Sequence, residues 1–218
     1  MPVETLDISE PFFTLRILTD EDSHVVAGKA IALNLSETPM CIRDQQLGHL
    51  QSVIVANTEL RTLCHTVLIE RFADHTDDAA LMAQVRDAWP SAFAVRGEER
   101  LRGVSHYMSP KAWVGQYGFT FYHAGSVPLR VGLHKDHAFC PVPGFREVHT
   151  QVVGFGKMQQ CREKDVGTLY LEEPMAPGTT HRPMYDAQGR FPWHQFETIT
   201  PSIFLAVEML PDGATPPA

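Results

Sequence analysis

The chain has 218 residues, 44% of them hydrophobic, and 18 Lys and Arg against 26 Asp and Glu give a formal charge of −8. This size and composition allow one generous domain with a real core, while the acidic balance excludes a nucleic-acid surface, which needs clustered Lys and Arg to neutralise phosphates. The opening Met1-Pro2-Val3-Glu4-Thr5 has neither the basic nor the apolar region of a leader, and no run approaches the roughly 18 apolar residues of a membrane helix, so a cytoplasmic protein is expected.

In chain order, the apolar runs 12–18 and 25–33, punctuated by polar residues, predict hairpin strands. The segments 50–56 and 63–69 are apolar without a clean period and are read as further strands. Residues 77–89 carry acids in the first turn, apolar Leu81, Val85, Ala88 and Trp89, and Pro90 as a stop, which predicts a helix. The basic run 96–102 is interrupted by Glu98 and Glu99 and reads as a solvated face. From Tyr107 onward, runs of Val, Phe, Tyr, Ile and Leu alternate with Gly, Pro and Asp turns, the spacing of an all-β barrel or sandwich.

The stretch from His134 to His181 is the richest in chemistry. His134-Lys135-Asp136-His137 closes a strand-like run at 127–133, and a Pro/Gly loop at 140–144 follows. In the next run, period-two alternation puts Glu147, His149 and Gln151 on one face and Val148, Thr150 and Val152 on the other. The turn Pro177-Gly178-Thr179-Thr180 then delivers His181, the block 190–196 combines aromatics with His194, and 202–208 is a strand suited to closing a barrel. Four cysteines, Cys41, Cys64, Cys140 and Cys161, form no C-x-x-C pair, so reduced thiols are expected; Cys140 either approaches the site or is a plain buried thiol. Of the eleven histidines, His24, His49, His65, His75, His106 and His123 have no ligand-like company and read as structural.

Glu147, six residues and Gly154, followed by Gly167, an extended run and Pro177-Gly178-Thr179-Thr180-His181, resemble the two short motifs of the cupin superfamily. Two departures stand out: the histidine pair has His-x-x-His spacing and lies well upstream of the glutamate, and the proline of the second motif is one place too close to its glycine. The resemblance implies a mainly β, cupin-type antiparallel barrel (a double-stranded β-helix) over 105–210, with 1–104 as an N-terminal strand and helix extension and 211–218 as a flexible tail. It implies one divalent metal, zinc or iron, held by His181, His149 and one or both of His134 and His137, with Glu147 ligating or acting as acid and base. Gln151 then faces substrate, Arg182 and Arg190 are candidates for a substrate carboxylate, and Trp193 and His194 for the pocket rim.

Two further patterns compete. His134-x-Asp136 with His181 reads as the facial triad of Fe(II)/2-oxoglutarate oxygenases, with Arg190 as a cofactor clamp. The segment from Glu147 to Met158 together with Pro192-Trp193-His194-Gln195 is similar to the cupin portion of hydrazine-forming synthetases, which implies rearrangement with N–N bond formation and a separate activating partner enzyme. The expected function is therefore a metal-dependent enzyme acting on a polar small molecule, working as a homodimer. The alternative from another class is a non-catalytic cupin that binds a small ligand.

Overall fold

The computed structural model describes residues 3–75, 78–129, 132–137 and 142–217. Strands β1 (Val3–Leu6), β2 (Thr14–Asn34), β3 (Met40–Ile42), β4 (Gln45–Leu47) and β5 (Ser52–Glu70) form one antiparallel sheet in the order β1-β2-β5-β3-β4. The two long strands fold back on each other. The start of β2 pairs with the end of β5, as in Leu15↔Ile69, and the end of β2 returns to the same segment, so that Ile31 pairs with both Ile69 and Ile54. Positive φ at Gly28 (84°) and Asn57 (47°) lets the hairpin arms bend where the register shifts. Sheet and neighbours cover both faces of this returning segment. Ala30, Ile31, Ala32 and Leu33 are all fully buried, with Ile31 and Leu33 in one core cluster and Ala30 and Ala32 in another.

Helix α1 (Asp78–Ala88) follows, one residue inside the expected start; Asp77 lies outside the described residues. It buries Leu81, Met82 and Val85, and Trp89 just beyond it meets Phe12 edge-on at 6.0 Å. The short helix α2 (Ala92–Arg96) is capped at both ends: Ser91 Oγ accepts from the Ala94 amide at 3.2 Å, and Gly97 closes it with a left-handed φ of 68°. A 3-10 turn, Glu99–Leu101, comes next. The charge pattern of 96–102 predicts a solvated face, but Arg96, Arg100 and Leu101 form one wall of the cavity described below.

Strands β6 (His106–Met108), β7 (Ala112–Val114), β8 (Tyr117–Ala124), β9 (Arg146–Val153), β10 (Gly156–Cys161), β11 (Leu169–Met175), β12 (Trp193–Thr198) and β13 (Ser202–Met209) make two further antiparallel sheets. One has the order β6-β8-β13-β9, with β7 on the edge of β8, and the other β11-β10-β12. The first of these is the middle layer. On β13, Ile203, Leu205 and Val207 join Leu15, Ile17 and Ile31 of the N-terminal sheet, while Phe204 and Ala206 face Met158 and Phe196 of the third sheet. Each such side chain contributes about 1.5–3 kcal/mol on full burial. One continuous core therefore joins residues from 1–104 to residues from 105–210.

The chain is mainly β and antiparallel, as the sequence pattern predicts. The expected strand at 127–133 is not one: its described residues form turn and irregular backbone, and only an isolated bridge joins His134 to His194. Among the described residues no helix is long and apolar enough to cross a membrane.

Candidate metal centre

Strand β9 supplies the first side of the site through alternation. Val148 and Val152 turn to the core shared with the N-terminal sheet, while Glu147 and His149 line a cavity between the middle and third sheets. Strand β12 supplies the opposite side. Its register pairs Phe196 with Met158 and His194 with Gln160, so His194 shares the inward face with Phe196, and Trp193 points the other way. The Trp193 ring lies 4.9 Å from Lys135 Nζ and 5.5 Å from Lys164 Nζ. Reciprocal backbone bonds, His134 N to His194 O at 3.1 Å and His194 N to His134 O at 2.9 Å, bring a third segment alongside. His137 completes the group, packed between Phe191 at 4.5 Å and Phe145 at 5.2 Å.

One ring nitrogen each of His134, His137 and His194 falls within 4.8 Å of the others. Two of these rings are held in a defined tautomer. His134 Nδ1 is 3.0 Å from the Gly132 carbonyl and His194 Nδ1 is 2.9 Å from the Pro192 carbonyl. A carbonyl only accepts, so each Nδ1 carries the proton and each Nε2 presents a lone pair, the arrangement that second-shell carbonyls impose on metal-bound imidazoles. His194 Nε2 lies 3.2 Å from His137 Nε2. His137 Nδ1 is buried and, among the described residues, without a hydrogen-bond partner.

Burial keeps these rings neutral. Desolvation, followed by the charge of the neighbouring His194, lowers His134 to about 2, and desolvation with His137 lowers His194 to about 4. His137 is also lowered by burial, against the pull of Glu147. Neutral imidazole is the form that ligates a metal. Glu147 behaves in the opposite way: burial alone would raise it, but His149, bonded through Nε2 to Glu147 Oε1 at 2.5 Å, holds the carboxyl well below its ordinary range. The second carboxylate oxygen is 3.7 Å from His137 Nε2.

His181, expected as a ligand, stands apart from the trio. Its Nε2 accepts from the His149 amide at 2.9 Å and its Nδ1 donates to the Arg182 carbonyl at 2.8 Å, so neither nitrogen has a lone pair to offer. It pins β9 to the turn after β11. His149 lines the cavity but is bonded to Glu147 rather than grouped with the three rings. Gln151 is fully buried beyond the cavity and donates to the Val153 carbonyl at 2.9 Å. Arg182 and Arg190 point to solvent, each with a side chain 75% exposed, and pair with Glu173 at 2.8 Å and Asp186 at 2.7 Å. Asp136 is exposed, and the His134, Asp136, His181 triad is not assembled. Cys140 lies outside the described residues.

The sequence reading missed a charged lining. Arg96, Arg100 and Glu208 face the same cavity as the three histidines, with Tyr122 beside them. Glu208 sits directly across from Glu147 in the β9–β13 ladder, a like-charge pair that would be destabilising alone. Lys111 Nζ offsets it at 2.5 Å from Glu208 Oε1. Burial alone would lower the Arg96 pKa, but Tyr122, Glu98, Glu147 and Glu208 reverse this and raise it. One signal was available: Glu208 is a lone acid in a strand whose every residue is buried, and a charge is carried into such a place only with partners.

No family model matches the chain, and no curated protein matches it. Solved structures to which it is similar include a cupin 2 conserved barrel domain protein from Leptotrichia buccalis, at 10% identity and TM-score 0.33 over 96% of this chain and 89% of that one. Oxalate decarboxylase from Bacillus subtilis matches at 11% identity and TM-score 0.36, over 91% and 67% of the two chains. A cupin-superfamily sugar phosphate isomerase from Silicibacter pomeroyi matches at 17% identity and TM-score 0.34, over 56% and 67%. Likeness at these scores says nothing about the site, which stands on its own distances. Two of these three neighbours carry cupin in their descriptions.

Proposed function

We propose that this chain is a metal-dependent cupin enzyme acting on a small polar molecule, with a divalent ion held by His134, His137 and His194. The observation that carries the reading is the convergence of three imidazoles within 4.8 Å, His194 buried and His134 and His137 partly buried, two of them fixed by the Gly132 and Pro192 carbonyls with Nε2 turned to the group. Three imidazoles suit Zn(II), Fe(II), Mn(II), Ni(II) or Cu(II). When bound, such an ion supplies Lewis acidity, or redox chemistry if it is iron.

The chain's own residues supply the rest. Glu147 and His149 share a hydrogen bond at the edge of the cavity and can hold or pass a proton between Oε1 and Nε2. Leu129, Met158, Phe196 and Phe204 form an apolar wall that keeps water from the polar groups. Elemental analysis of the purified protein tests the reading. Stoichiometric metal is expected in the wild type and in His181→Gln, and its loss in folded His134→Ala and His194→Ala. A metal-free wild type that retains a tightly bound organic molecule would instead favour the binding-module alternative.

A further inference from the structure

We infer that the substrate is a small carboxylate held by Arg96 and Arg100 across the cavity from the three imidazoles, with Glu98 as the positioning residue that aims both guanidiniums. The inference rests on the metal reading above and goes on to name the substrate class. Arg96 and Arg100 line the same cavity as His134, His137 and His194. Arg96 ends α2 and Arg100 sits in the 3-10 turn that follows, and the geometry between them is fixed by the Ser91 cap, the left-handed Gly97 and the extended Glu98. One carboxylate holds both: Glu98 Oε1 is 2.7 Å from Arg96 Nε, and Glu98 Oε2 is 2.6 Å from Arg100 Nη2. The side chains are only 12%, 17% and 26% exposed for Arg96, Glu98 and Arg100, so this is a built wall rather than a surface pair.

Charge and size narrow the ligand. Among the described residues, Arg96 and Arg100 share the cavity lining with Glu147 and Glu208, Glu98 pairs with both arginines, and Lys111 pairs with Glu208. A divalent ion would add positive charge to this partly closed, weakly screened space, which an anionic ligand offsets. Guanidinium forks match a carboxylate in geometry as well as charge. The cavity measures about 50 Å³, room for roughly four water-sized groups. Its apolar part is lined by Leu101, Leu129 and Phe196, which suits a short carbon skeleton. A bare phosphate would have no use for that wall.

The test is calorimetric titration of the full chain, metal-loaded and metal-free, with acetate, glycolate and malonate, each against its amide, and with inorganic phosphate. Metal-loaded protein is expected to bind at least one of the acids at least tenfold more tightly than its amide. Arg100→Gln is expected to abolish that preference while metal content stays stoichiometric. Arg100→Lys, which keeps the charge and loses the fork, guards against a folding defect and is expected to recover part of the preference. Glu98→Gln is expected to reduce acid affinity with amide affinity unchanged, a pattern that general loosening of the wall would not give. Equal binding of acids and amides, tighter binding of phosphate, or acid affinity untouched by Arg100→Gln would overturn the inference. A wild type without metal sinks the metal reading instead, and the effect of Arg100→Gln on acid binding by the metal-free chain still decides the arginine site.

Discussion

Lowering the pH from 7.5 to 5.5 should destabilise this protein by about 3 kcal/mol through two buried histidines alone. His106 and His181 are 5% and 1% exposed, and desolvation, aided by Arg96 for the first and His149 for the second, lowers each to about 3. In the unfolded chain both titrate near 6.5. The folded pKa is the lower one, so between these values the unfolded state binds more protons and stability rises with pH. The contribution is whole above about 6.5 and is lost progressively as pH falls toward 3. At pH 5.5 each residue accounts for about 1.4 kcal/mol, a large share of the 5–15 kcal/mol typical of a domain. Urea unfolding across this range, with chelator present so that metal release does not contribute, measures the slope. His106 stacks on Tyr122 at 5.2 Å with the planes 7° apart, so His106→Phe keeps an aromatic ring in place. That variant should lose about 1.4 kcal/mol of pH dependence per unit below 6, whatever the change in its absolute stability. An unaltered slope in His106→Phe, or a wild type that gains stability on acidification, would refute the account.

Other outcomes follow from the packing. Phe204 touches Tyr122, Phe196 and His149 in the core between the middle and third sheets, at ring distances of 5.6, 4.6 and 5.2 Å. Phe204→Ala should cost about 3–5 kcal/mol in denaturant unfolding. Ser91→Ala removes the α2 cap and should cost about 1 kcal/mol; loss of acid binding in the same variant would tie the cap to the aim of Arg96. Arg182→Ala and Arg190→Ala remove solvent-exposed ion pairs, so stability should move by less than about 1 kcal/mol each, with metal content and acid binding unchanged by titration.

The second half of the fold was legible because one layer faces two different neighbours at each strand. On β9 the alternation survives intact, with Val148 and Val152 toward the N-terminal sheet and Glu147 and His149 toward the cavity, and the side on which each residue falls can be read from period two. The N-terminal sheet hides its period. Ala30 to Leu33 are buried on both faces, so every position is apolar, and the run is legible as a strand from its polar punctuation rather than from a period. The fold-back that pairs Ile31 with both Ile54 and Ile69 depends on bends at positive-φ positions such as Gly28 and Asn57, whose residue types permit the bend without fixing which strands it pairs.

The site was half legible for a different reason. His134 and His137 stand in the one stretch dense with ligands, but the Pro-Gly turn marks His181 as a ligand and the aromatic block marks His194 as pocket rim, and the structure separates them by what their ring nitrogens meet. A backbone amide reaches His181 Nε2 and a carbonyl reaches its Nδ1, which exhausts both. At His194 a carbonyl takes Nδ1 only, and a two-residue bridge turns the ring toward His134 at 4.4 Å. Which rings present a lone pair to the cavity is decided by tautomer and by a backbone bridge between distant segments, neither of which residue spacing encodes. The arginines show the same limit in electrostatic terms. Arg182 and Arg190 lie close in sequence to the motif yet each is neutralised by one acid at the surface, whereas Arg96 and Arg100 lie far upstream and are carried into the cavity by a five-residue helix and the 3-10 turn after it, both too short to show a period. What marked them was Glu98, set between two arginines: on an exposed face that spacing is unremarkable, but a carboxylate bridging two half-buried guanidiniums fixes the direction in which both point.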